Sequence, residues 1–205
     1  MTIVFFANAQ IVNIPDANFK AKLLALGVDT NNDGNIQVSE AAITTILYVD
    51  NSNIQDITGI QAFVNLEYFI ANDNSILNAN FSGLNKLIRI KLDFNYNLNS
   101  INLSGCDSLQ ELFLFECNLG QLNISNISSL NTVSCSYNNL TNINISNCPN
   151  LKNLVCASNN LTYLNLSEFV NLENLNVRMN NIASLDLSNS PNLKFLDCSI
   201  NQLTN

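Results

Sequence analysis

The chain has 205 residues, 47% of them hydrophobic, so it can bury a substantial core and wholesale disorder is excluded. Only 12% are charged and the formal net charge is −8, which argues against nucleic acid and anionic membrane surfaces, since both attract clustered Lys and Arg. No apolar run approaches the roughly 20 residues that span a bilayer.

In chain order, residues 1–9 come first. Ile3-Val4-Phe5-Phe6 leads into Ala7-Asn8-Ala9 before Gln10, which reads as the end of an apolar leader and a small-residue cleavage site. No basic residue precedes it, so the segment is expected to be a signal-peptide remnant, with the mature chain starting at Gln10 on a secreted or cell-surface protein. An ordinary N-terminal strand is the alternative.

Residues 10–42 form a separate cap. Ile14-Pro15-Asp16 opens a helical pattern with Phe19, Leu23 and Leu24 on one face, ending near Gly27. The segment Asp29 to Glu40 then matches the calcium-loop spacing D-x-[DN]-x-[DN]-G-x5-E at each specified position. Asp29, Asn31 and Asp33 supply side-chain oxygens, Asn35 a backbone carbonyl, Gln37 a water-mediated slot and Glu40 a bidentate carboxylate. Gly34 permits the sharp turn, and Ile36 anchors the loop to the core. The expected cofactor is one structural calcium ion stapling the cap onto the first repeat; a polar turn matching the pattern by chance is the alternative.

From residue 43 to 205 the chain repeats. Leu66, Leu87, Leu109, Leu130, Leu151, Leu172 and Leu193 recur at intervals of 21, 22, 21, 21, 21 and 21 residues. Each opens the phrase L-x-x-L-x-C/L-x-x-N-x-L-x-x-L-x-L-S, and a weaker first copy starts near Thr44. Leu154 and Cys156 alternate as in a strand with one face inward. The ninth position is Asn74, Asn95, Asn138, Asn159, Asn180 and Asn201, interrupted by Cys117. A buried Asn must have its amide satisfied, so a stacked column bonding the turns of neighbouring rungs is expected. One unit cannot bury its apolar face alone; stacked units share a core.

These residues resemble the leucine-rich-repeat family, whose signature L-x-x-L-x-L-x-x-N-x-L they repeat. More narrowly, the chain resembles secreted 21-residue repeats of Bacteroidetes bacteria, with Cys in the sixth slot and an EF-hand-like loop in the N-terminal cap. The resemblance implies a curved solenoid of about eight rungs, the last incomplete, with a parallel β-sheet on its concave side. A 21-residue unit leaves little room for a helix opposite, so the convex side is expected to be irregular, extended or 3₁₀.

Cys135, Cys156 and Cys198 occupy a slot that holds Ala71, Leu92, Leu114 or Val177 elsewhere, so they read as small hydrophobes and free thiols; a Cys135–Cys156 bridge is the alternative. The chain has no His, which removes the usual general base and the Ser-His and Cys-His pairs, and no catalytic set is expected. Function then falls to the exposed strand positions. Tyr68, Ile70, Phe113 and Phe115, with Arg89 and Lys91, are expected to form a concave-face patch that binds a protein or glycan. The competing reading is a passive array or stalk, the N-terminal part of a longer secreted protein. An uncapped last rung at Asn205 also invites edge-to-edge pairing with another chain.

Overall fold

A computed structural model describes residues 10–204; the expected leader remnant at residues 1–9 lies outside them. Two helices open the fold, α1 (Ala17–Ala25) and α2 (Val38–Ile43), followed by twelve three-residue strands among the described residues. These are β1 (Ile46–Tyr48), β2 (Tyr68–Ile70), β3 (Asn78–Asn80), β4 (Arg89–Lys91), β5 (Ser100–Asn102) and β6 (Glu111–Phe113). Then come β7 (Gln121–Asn123), β8 (Thr132–Ser134), β9 (Asn142–Asn144), β10 (Asn153–Val155), β11 (Asn174–Asn176) and β12 (Phe195–Asp197).

One parallel sheet of eight strands runs in the order β1-β2-β4-β6-β8-β10-β11-β12. Its register sets the fourth residue of each repeat in one column: Leu47, Phe69, Ile90, Leu112, Val133, Leu154, Leu175 and Leu196. The first seven are fully buried: Phe69 to Leu175 lie between like residues of adjacent rungs, and Leu47, on the first strand, shares an apolar cluster with the cap; Leu196, on the last rung, is 39% exposed. The convex side is extended rather than helical. Two short parallel ladders, β3-β5 and β7-β9, lie there, and the 3₁₀ option is realised as one turn at Ile60–Ala62.

The asparagine column forms as expected. In all six cases the amide Oδ1 accepts from a backbone N–H of the preceding rung, at 2.9–3.1 Å. The Nδ2 donates to a carbonyl of the preceding rung at 2.8–3.0 Å. It also donates to a carbonyl three residues back in its own rung, at 2.9–3.1 Å. Each Asn therefore clamps two successive turns, which is why the position tolerates so little variation.

The exception at Cys117 has a local cause. The rung opened by Leu87 carries one extra residue, and its Leu98 N–H turns back to Asn95 O at 2.9 Å. No inward N–H remains there for an amide oxygen of the next rung. Cys117 supplies only a donor, its Sγ lying 3.3 Å from Leu92 O, and a donor is all this site needs.

The cap shares this core. Phe19 and Leu23 of α1 are fully buried and belong to one apolar cluster that runs on to Ile182. Asp16 joins cap to repeats: one oxygen accepts from Phe19 N at the start of α1, the other from Gln55 N and Asp56 N of the first rung. Gly59, at φ 101°, lets the first rung approach the cap backbone, for a Cβ there would sit 2.7 Å from Asn13 O.

Candidate binding face and cap loop

The cap loop lies between α1 and α2. Gly34 takes φ 82°, the left-handed turn its position requires. Asp29 accepts from Asp33 N (3.2 Å) and Gly34 N (2.8 Å), while Asn31 and Asp33 accept from Asp33 N and Asn35 N, both at 2.8 Å. Ile36 is buried, and the segment after the turn forms an isolated antiparallel bridge with residues 10–12, Val12 N donating to Ile36 O and Val38 N to Gln10 O, both at 2.8 Å. Glu40 is 5% exposed and faces the loop backbone. Its carboxylate accepts from Thr30 N (2.8 Å), Asn31 N (3.3 Å) and Gln37 N (2.9 Å), and from Thr30 Oγ1 (2.7 Å). Burial acts to raise its pKa, but these donors outweigh it and hold the carboxyl below its ordinary value. Among the described residues, no three His, Cys, Asp or Glu side chains gather about one point. The donor set is all oxygen and suits a hard cation, with Glu40 engaged by amides instead of facing Asp29 and Asp33.

The concave sheet divides the six patch residues. Tyr68 and Phe113 are half-buried on the open face. Ile70 is only 8% exposed, so it is not part of an open patch: it sits in register between Tyr48 and Lys91, whose long side chains flank it. Arg89 pairs with Glu111 on the next strand, and Lys91 lies 4.0 Å from Asp93 and 5.0 Å from the Phe113 ring centroid. Both cations are thus held by their neighbours. The exposed apolar groups of the N-terminal rungs include Ile46 and Tyr48, which sequence reasoning passed over because the first copy of the repeat is degenerate.

Phe115 leaves the sheet. It lies where the chain turns out of the strand, between Phe94 and Tyr137 of the adjacent rungs, with centroids 5.4 and 5.2 Å away and rings edge to face. Tyr96 extends the row at 6.4 Å from Phe94. Phe94 and Tyr137 occupy the eighth repeat position, which has positive φ in each of the eight rungs, from Asn51 to Ile200. Sequence reasoning found neither the positive-φ position, which is filled by Phe94, Glu116, Tyr137, Met179 and Ile200 as well as by Asn51 and Asp73, nor the side chains that meet across it.

All six cysteines are free. Burial pushes the thiols of Cys106, Cys117 and Cys156 up to about 12 and that of Cys135 well above its ordinary value, so these four stay protonated and behave as small core residues.

No helix among the described residues is long and apolar enough to cross a membrane. No family model matches the chain, and no curated protein matches it. Solved structures do. The functional domain of InlJ from Listeria monocytogenes, described as including a cysteine ladder, aligns at 27% identity with a TM-score of 0.65. That alignment covers 97% of this chain and 49% of the other, so the chain spans about half of the InlJ domain. Internalin C2 from L. monocytogenes strain 4b F2365 aligns at 21% identity with a TM-score of 0.73, over 99% of this chain and 93% of its own. The chain is a leucine-rich-repeat solenoid with the architecture seen in the internalins of Listeria.

Proposed function

We propose that the chain is an extracellular or cell-surface binding scaffold that engages a protein or glycan through the concave face of its first four rungs. The observation that carries this reading is the contrast along the sheet. Tyr48, 55% exposed on β1, Tyr68 on β2, the Arg89–Glu111 pair across β4 and β6, and Phe113 on β6 follow one another along the sheet. Beyond them, β8 to β11 present Thr132, Ser134, Asn153, Val155, Asn174 and Asn176, which are short or bland. Large aromatic anchors beside charged groups are what binding hot spots are built from, whereas β8 to β11 suit a spacer, and β12 adds a single exposed aromatic, Phe195. Catalysis is disfavoured by a chain without His and by thiols held protonated.

The cap role is structural. A calcium ion would be held by Asp29, Asn31, Asp33, the Asn35 carbonyl and Glu40, neutralising their charge and fixing α1 against α2. Weak binding, with a dissociation constant of about 10⁻⁴–10⁻³ M, is sufficient outside the cell. The binding role is tested by screening the labelled chain against arrays of extracellular proteins and glycans beside the triple variant Tyr48→Ser, Tyr68→Ser, Phe113→Ser. A hit lost in the variant supports the concave face; hits that the variant retains in full refute it.

A further inference from the structure

The aromatic row of Tyr96, Phe94, Phe115 and Tyr137 lies outside the sheet, along the rim where each strand turns toward the convex side. Tyr96 and Tyr137 are 62% and 52% exposed, and Phe94 and Phe115 are half-buried. The four rings form one continuous surface across three rungs. Nothing in the core requires them. The same positions hold Asp50, Asn51, Asn72 and Asp73 before the row and Ala157, Ser158, Arg178, Met179, Ser199 and Ile200 after it, none of them aromatic, in rungs that close equally well. Phe94 and Tyr137 also sit at φ 61° and 55°, a conformation that costs a bulky residue and suits Asn, Asp or Gly.

Among the described residues, carboxylates outnumber cations around this row, Lys91 being the one cation, held against Asp93. The seventh and eighth positions carry Asp50, Asp73, Asp93 and Glu116, all in the first four rungs, and no carboxylate in the last four. Asp50 and Asp93 are committed to backbone N–H groups of the next rung, at Asn72 and Phe115, and Asp93 also faces Lys91. Asp73 and Glu116 have no cationic partner among the described residues, and both lie near the Tyr96 hydroxyl. Ring faces are the negative pole of an aromatic quadrupole, so rings and carboxylates here attract the same kind of group.

We infer that this rim is a second contact surface, which docks a Lys- or Arg-bearing extended segment of a partner protein. Its basic side chains lie over the rings of Phe94, Phe115 and Tyr137 and pair with Asp73 and Glu116. The inference rests on the scaffold reading and adds to it the sign of the partner's charge. It also places part of the contact on the rim instead of the sheet.

The test uses the full chain and a fluorophore-tagged Lys/Arg-Ser peptide of about six residues, which extends to ~20 Å and covers four rungs. A Glu-Ser peptide of the same length is the control, and fluorescence anisotropy is the readout. The basic peptide is expected to bind saturably and to weaken as salt rises, while the acidic peptide does not bind. Asp73→Asn with Glu116→Gln is expected to weaken binding about tenfold at low salt and to flatten its salt dependence. Tyr96→Ser with Tyr137→Ser is expected to weaken it about tenfold at every salt concentration. Both pairs are partly or largely exposed, and each variant is first matched to the parent by thermal melt. Absence of saturable binding, equal binding of the acidic peptide, or affinity unchanged in both variants would overturn the inference. Tyr48→Ser with Tyr68→Ser leaves the rim intact and must retain the peptide. A sheet-bound partner lost in that variant, alongside a failed peptide test, removes the rim inference alone.

Discussion

Replacing Asn159 by Ala tests the physical account of the repeat most directly. Asn159 is 7% exposed, accepts from Leu140 N at 3.0 Å and donates to Cys135 O at 3.0 Å and Cys156 O at 3.1 Å. Alanine leaves the Leu140 N–H buried without a partner and removes one of the two amide donors at each of Cys135 O and Cys156 O, which keep those of Asn138 and Asn180. The stranded N–H costs about 1–3 kcal/mol and each lost bond to a carbonyl about 0.5–1.5 kcal/mol, so the expected loss is about 3 kcal/mol, a large share of the stability of a domain. Asn159→Cys also strands the Leu140 N–H but keeps a donor to a carbonyl, as Cys117 does in its own rung; a loss about 1 kcal/mol smaller than that of alanine is expected. Cys117→Asn runs the comparison backwards. Its new amide oxygen would find Leu98 N already bonded to Asn95 O, so no gain in stability is expected. Urea unfolding followed by circular dichroism measures all three from the shift in midpoint. An Asn159→Ala variant losing less than about 1 kcal/mol, or a Cys117→Asn variant gaining as much, would refute the clamp.

Three further outcomes are expected. Asp16→Ala removes a helix cap and the tie to Gln55 and Asp56 together, and should cost about 2 kcal/mol in a melt at neutral pH. Burial acts to raise the Asp16 pKa, but four backbone donors hold it below 3.8; its contribution is therefore complete above 3.8 and fades as pH falls through the lower folded value, where parent and Asp16→Asn should converge. Ser190 occupies the column of Cys106 and Cys148, whose Sγ reach Phe81 O and Ile124 O at 3.3 and 3.1 Å, yet its own Oγ is buried without a partner; Ser190→Ala should raise stability by about 1 kcal/mol in urea unfolding. Calcium at about 100 times its dissociation constant should stabilise the chain by about 2.7 kcal/mol over excess chelator, and Glu40→Gln should abolish the difference; equal melts in millimolar calcium and chelator would leave the loop held by its own amides alone.

Much of this protein is written in its spacing. A 21-residue period with Leu, Ile or Cys at set positions has one economical solution, since each unit exposes an apolar face that only a copy of itself can cover. The Asn column follows from the same constraint, as it closes a turn that recurs along the stack, whereas the positive φ after each strand was visible only in the structure because residues as different as Asn51, Phe94 and Ile200 adopt it. The calcium-loop spacing was equally legible, but not the burial of Glu40 against Thr30, Asn31 and Gln37, because which donors reach a carboxylate depends on how the loop packs.

The binding surface is where spacing stopped informing. Ile70 and Tyr48 occupy the same repeat position, yet one is 8% exposed and the other 55%, because Ile70 has long neighbours on both flanking strands and Tyr48 lies on the first strand of the sheet. Arg89 with Glu111, and Phe94 with Phe115 and Tyr137, meet across 21 or 22 residues of chain, so their partners are visible only once the rungs are stacked. Composition and period determined the scaffold because burial acts on every rung alike. Which side chains remain open to a partner was decided by tertiary structure, since exposure belongs to a residue together with its neighbours on the rungs above and below.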